Sequence, residues 1–151
     1  MVQVRLRPAA LRNASELAQI HVRARTAAMP WLPTLHSTEE TATWMANVVL
    51  PRQDVWIALR DGAVVGFVAL MPGWIEQLYV DPIAWRSGIG SALIDHAKQH
   101  HPEGFRLWTF QRNAMARSFY RKHGLIEIRS TDGYDNEEKE PDVLLGWKFT
   151  S

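Results

Sequence analysis

Apolar and polar positions alternate with a period of two over residues 2–7, which predicts a strand. The spacing then lengthens. Leu17, Ile20, His21 and Ala24 fall on one side of a helix, and the stretch NASE at 13–16 just before them has the form of a capping box. Pro30 and Pro33 force a loop over residues 29–36. A second capping box, Ser37 with Glu40, opens a helix that carries Trp44, Met45 and Val48 and ends by Pro51. Two β-rich runs, DVWIAL at 54–59 and VVGFVAL at 64–70, flank Asp61 and Gly62, so they read as an antiparallel hairpin, and WIEQLYV at 74–80 follows as a third strand. Ile89, Leu93, Ile94 and Ala97 mark the buried stripe of a helix that ends before Pro102. FRLWTF at 105–110 is a strand, residues 113–123 a helix stopped by Gly124, and LIEIRS at 125–130 and DVLLGWKF at 142–149 are two final strands.

That order implies an α+β sheet in which the helical crossover from the strand at 74–80 to the strand at 105–110 makes those two parallel neighbours. With 151 residues, 46% of them hydrophobic, the chain suits one compact domain, residues 1–151, so one domain holds the whole site. The 17 basic and 16 acidic residues leave a net charge of +1, which argues against nucleic acid or anionic lipid as partners and favours small molecules or a limited protein surface. The absence of cysteine removes disulfides, thiolate metal sites and any Cys nucleophile. No apolar signal core or eighteen-residue apolar run occurs, so no membrane insertion is expected and the cytoplasm is the expected compartment.

The chemistry concentrates in WRSGIGSALIDHA at 85–97, where two glycines stand directly before a helix. The first amides of a helix lack intrahelical partners and the helix dipole is positive there, so phosphate oxygens are favoured ligands. Gly88 and Gly90 would let a pyrophosphate lie against bare backbone. Two other phosphate loops do not fit. A Walker loop needs Lys and then Ser or Thr after its second glycine, where this chain has Ser91 and Ala92; the dinucleotide fingerprint needs a third glycine, and that position is Leu93. A tight strand-to-helix turn with no ligand stays open on the loop alone. A companion lies downstream: Asn113 and Tyr120, seven residues apart, face the same way on one helix, and the tyrosine hydroxyl wants a polar partner.

With LYVDP, GIGSALI and the pattern N..A..FY.K.GL in place, the chain resembles the Gcn5-related N-acetyltransferase (GNAT) superfamily, most closely over residues 55–125. The resemblance implies a single-domain mixed central sheet with helices on both faces and splayed parallel middle strands. It also implies acetyl-CoA as co-substrate, with no metal. The pyrophosphate would rest on Arg86, Ser87, Gly88, Ile89, Gly90 and Ser91, the pantetheine arm on Leu78, Tyr79 and Val80, and Asn113 and Tyr120 would complete the cofactor contacts. The expected reaction is direct transfer to a primary amine of a small molecule or peptide, with Tyr120 as acid to the departing thiolate and Glu76 as base. The chain departs from the family at Trp85, where Gln or Arg is usual. A non-catalytic acyl-CoA-binding module with the same fold is the alternative, and a homodimer is in keeping with many relatives.

Substrate choice is expected from two regions outside these motifs. One is the linker MPWLPTLH at 29–36 with Trp31 and His36; the other is the acidic stretch DGYDNEEKEPD at 132–142, read either as a solvated loop or as an overhang that favours a cationic amine. His96 and His100 share a helix face without an evident further metal ligand and are expected on the solvent side. Trp44, Trp56, Trp108 and Trp147 read as packing, whereas Trp74 and Trp85 flank the strand of the cleft.

Overall fold

A computed structural model describes residues 4–148. Seven strands form one sheet in the order β1-β2-β3-β4-β5-β7-β6. The strands are β1 (Val4–Pro8), β2 (Asp54–Arg60), β3 (Ala63–Met71), β4 (Trp74–Val80), β5 (Phe105–Phe110), β6 (Ile126–Thr131) and β7 (Asp142–Trp147). Neighbours are antiparallel except β4 and β5, which the crossover helix α4 (Ile89–His100) makes parallel, as expected from the element order. Positions 2 and 3 of the first expected strand and Phe149 of the last lie outside the described residues.

Alternation along the strands divides the core into two layers. Val55, Ile57, Phe67 and Ala69 meet Leu17 and Ile20 of α1 (Ala14–Ala28) together with Met45 and Val49. On the other face, Val68, Leu70, Phe105 and Leu145 meet Ile89, Leu93 and Ile94 of α4 and Tyr120 of α5 (Ala114–Lys122). Gly66 of β3 lets α4 approach closely: a Cβ there would stand 3.0 Å from the Tyr79 carbonyl oxygen and 3.1 Å from Ile89 Cγ2.

Two helix boundaries differ from expectation. Asn13 does not cap α1. A single 3-10 turn, Leu11–Asn13, precedes the helix, and the Asn13 side chain turns back to accept from the Ala10 amide at 2.8 Å while its own amide donates to Glu16. The helix expected to stop by Pro51 continues to Arg52. After α2 (Thr38–Trp44), a wide turn over Met45–Val49, in which Leu50 N–H reaches the Met45 carbonyl, loosens the ladder enough to carry the chain through Pro51 into the short α3 (Leu50–Arg52). The second capping box is present, with Ser37 and Glu40 exchanging bonds of 2.9 and 3.0 Å.

Candidate active site

The parallel strands separate almost as soon as they meet: Trp74 opposite Arg106 is their one ladder pair among the described residues. A β-bulge helps. Leu70 faces Ile75 and Ala69 faces Gln77, so Glu76 is the extra residue of β4. Beyond it Leu78 and Val80 pack with the α4 layer, while Gln77 and Tyr79 turn to α1. The opening is a cleft of about 750 Å³ that runs from the β4–α4 loop to the C-terminal end of α1.

Of the residues singled out in the sequence, Glu76, Leu78, Tyr79, Val80, Arg86, Gly88, Gly90, Ser91, Asn113 and Tyr120 line this cleft. Ile89 does not; it is buried in the core beneath the loop. Ser87 also lies outside the lining: it is exposed, its hydroxyl bonded to the Ala84 carbonyl and approached by Arg60. Arg86 and Gly88 both have left-handed φ, +62° and +86°, and Gly88 is the residue at which α4 begins. Among the described residues, the main-chain amides from Arg86 to Ser91 donate to no other group. Trp85 serves as a structural anchor, its indole N–H donating to the Val80 carbonyl at 2.7 Å, so the loop forms without the usual Gln or Arg.

Gly90 also has a packing use that its spacing does not suggest. A Cβ at Gly90 would lie 3.1 Å from the Phe119 ring, so its small size lets α5 pack against α4. Asn113 caps α5, its side-chain oxygen accepting from the Ala116 amide at 3.1 Å. Tyr120 is buried, and burial, with Tyr79 nearby as a lesser cause, pushes its phenol pKa well above the ordinary value, so the O–H stays protonated. Glu76 is exposed at the bulge, within the cleft lining.

Of the residues expected on the acceptor side, Trp31 and His36 lie outside the main cleft. Trp31 lines neither cleft; its ring lies under the Arg112 guanidinium at 3.6 Å. His36 lines a second cleft of about 390 Å³, between α1, α2 and the β6–β7 segment. The acidic stretch is partly solvated, with Asp132, Asp135 and Glu137 exposed, and three of its acids are paired: Glu137 with His36, Glu138 with Arg25 at 2.8 Å, and Glu140 with two nitrogens of Arg112 at 2.9 and 3.0 Å. His96 is buried rather than on the solvent side, because Trp56 covers it with ring centroids 4.2 Å apart. Trp74 packs over Arg106. No group of three or more metal-type side chains suited to an ion occurs among the described residues, and no described helix is long and apolar enough to cross a membrane.

Sequence reading missed the α1 side of the cleft. Ala24 and Ala28, one turn apart, and Met29 form that wall, and Gln77 hydrogen-bonds His21 at 3.3 Å behind it. The small residues at a four-residue spacing were a signal that a helix face leaves room there. Burial first, then the charge of Arg25, hold the His21 imidazole pKa down to about 4, against the hydrogen bond with Gln77.

The splayed strands, the bare loop and the α5 tyrosine thus share one cleft. A model described as "Acetyltransferase (GNAT) domain" matches residues 51–125. Peptidyl-lysine N-acetyltransferase YiaC of Escherichia coli is 32% identical over 93 residues, 61% of this chain and 62% of its own length. The chain therefore spans about three fifths of that curated relative. Peptidyl-lysine N-acetyltransferase YjaB of E. coli is 29% identical over 110 residues, 72% of this chain and 73% of that protein. The solution structure of apo YjaB superimposes with a TM-score of 0.78 at 25% identity, covering 96% of this chain and 97% of that one. The PaiA N-acetyltransferase of Thermoplasma acidophilum, solved with coenzyme A, shares the fold at a TM-score of 0.72 and 16% identity over 97% of this chain and 99% of its own. This chain belongs to the GNAT superfamily.

Proposed function

We propose that residues 1–151 form a single N-acetyltransferase domain that moves an acetyl group from acetyl-CoA to a primary amine, on a peptide lysine or a small molecule, with both substrates bound together. One observation carries this reading: a loop of unpaired amides and a buried tyrosine open onto the same cleft between parted parallel strands. The amides from Arg86 to Ser91, ahead of the positive end of α4, suit a diphosphate, and the open strand Leu78–Tyr79–Val80 suits an amide-bearing arm. Asn113 lines the cleft beside them while capping α5.

Bound acetyl-CoA supplies an activated carbonyl: a C–N bond forms, the C–S bond breaks, one proton leaves nitrogen and one reaches sulfur. Tyr120, protonated throughout the working range, donates at the sulfur. Glu76, exposed at the bulge, accepts the amine proton directly or through water. Trp31 acts on the acceptor only indirectly, by steadying Arg112, and His36 stands beside the second cleft as an outer acceptor contact.

The test has two stages. Calorimetry with acetyl-CoA measures binding, and a thiol-release assay across amines and lysine peptides measures transfer. Binding with release from lysine peptides is expected. Binding with no release from any amine would instead support an acyl-CoA-binding module, and no binding at millimolar coenzyme would refute both.

A further inference from the structure

The two clefts share a wall made by α1 and β4. Met29 lines both, Gln77 and Tyr79 line the larger, and His21 and Arg25 line the smaller. Two polar bridges cross it: His21 to Gln77 at 3.3 Å, and Arg25 Nη1 donating to the Tyr79 hydroxyl at 3.4 Å. The Arg25 side chain is only 22% exposed, and its other terminal nitrogen donates to Glu138 at 2.8 Å. This ion pair has a direction. Its carboxylate lies on the β6–β7 side, while the other edge of the guanidinium meets the hydroxyl of Tyr79, a residue that lines the larger cleft.

A charge fixed in a poorly hydrated wall acts on whatever titrates beside it. His21 already records that influence, since Arg25 is the second cause, after burial, of its low pKa. We propose that Arg25 sets the protonation state of the acyl acceptor: its charge disfavours the ammonium form as the amine enters along the α1 side, so nitrogen meets the thioester with its lone pair free. This rests on reading the cleft as a transferase site. Arg25 takes no proton itself; the ammonium proton goes to water before the C–N bond forms, and Glu76 takes the second nitrogen proton once it has formed. The titratable and charged groups around the two clefts are His21 from α1, Glu76 and Tyr79 from β4, Arg86 from the β4–α4 loop, Tyr120 and Lys122 from α5 with His123 just after it, Glu137 and Glu138 from the β6–β7 segment, and His36 and Glu40 across the second cleft. Glu138 moderates the effect, so removing Arg25 and removing Glu138 have opposite consequences.

The experiment follows kcat at saturating acetyl-CoA and peptide against pH, which reports groups in the bound complex, for an Nα-acetylated peptide with one lysine, in the wild type and in Arg25→Met, Arg25→Lys and Glu138→Gln. Arg25→Met should move the acid limb up by about one pH unit, roughly a tenfold loss of rate below the limb. Glu138→Gln should move it down, and Arg25→Lys should leave it near the wild type. NMR titration of His21 in the protein without substrate gives an activity-free readout: its pKa should rise in Arg25→Met and fall in Glu138→Gln. Limbs and His21 titrations that stay put, or that move the same way in both variants as general loosening would produce, overturn the proposal. If the wild type releases no thiol, the transferase reading and the proposed action on the acceptor fail together. Shifted limbs without the matching His21 shifts overturn the proposal while leaving transfer intact.

Discussion

Replacing Gly88 with alanine isolates what the loop backbone demands. Its φ of +86° lies in the left-handed region, and a Cβ built there meets nothing within 4 Å, so the penalty is conformational alone. For an L-residue it is about 1–2 kcal/mol. If the folded protein retains the strained loop, the whole amount appears in stability, and the melting temperature falls by roughly 2–8 °C for a chain of this size. If the loop relaxes instead, stability is kept and the coenzyme must restore the conformation, which weakens binding by roughly 5–30-fold. The two losses therefore add to about 1–2 kcal/mol, however they are divided. Gly62 supplies the control: its φ is +82°, its surroundings are equally open, and it lines neither cleft. Gly62→Ala should lower the melting temperature and leave affinity untouched. Scanning fluorimetry and calorimetry with acetyl-CoA measure both quantities. Wild-type stability together with wild-type affinity in Gly88→Ala would refute the argument, as would weakened coenzyme binding in Gly62→Ala.

Tyr120→Phe should lower kcat about a hundredfold at saturating acetyl-CoA while the coenzyme affinity stays within about twofold; an unchanged kcat removes the acid role. Because its phenol pKa is pushed up, Tyr120 should add no alkaline limb below about pH 10, which a pH–rate profile in the wild type checks. His21 titrates at 6.5 when unfolded and about 4 when folded, so between those values the unfolded chain binds more protons and stability falls as pH drops, by up to about 3 kcal/mol. Urea unfolding at pH 7 and pH 4.5 should show that loss in the wild type and less of it in His21→Leu. Ser37→Ala removes half of a formed capping box and should cost about 1 kcal/mol, read from the same urea curves.

The legible parts of this molecule were those set by local rules. Period-two runs placed the strands, the helix between residues 80 and 105 made β4 and β5 parallel, and the glycine loop stood where α4 begins. Illegible parts came from long-range contacts that local spacing does not encode. Gly90 packs against a phenylalanine 29 residues further along the chain, and the acids at 137, 138 and 140 find cations on three separate segments. The Asn13 box failed because a preceding turn claimed the side chain, a competition between two adjacent local solutions. The α1 wall was missed because its alanines announce themselves only by what they lack.

The early parting of β4 from β5 gives the protein two exposed sheet borders turned inward. A border of unsatisfied amides and carbonyls normally invites foreign chains, and proteins usually blunt it with charge, bulges or cover. Here recess in a groove does that protecting, helped by the bulge at Glu76. An extended, amide-bearing guest can complete the sheet from within, so the empty protein should be the form more prone to adopting a stray strand, and a filled groove should keep it dispersed.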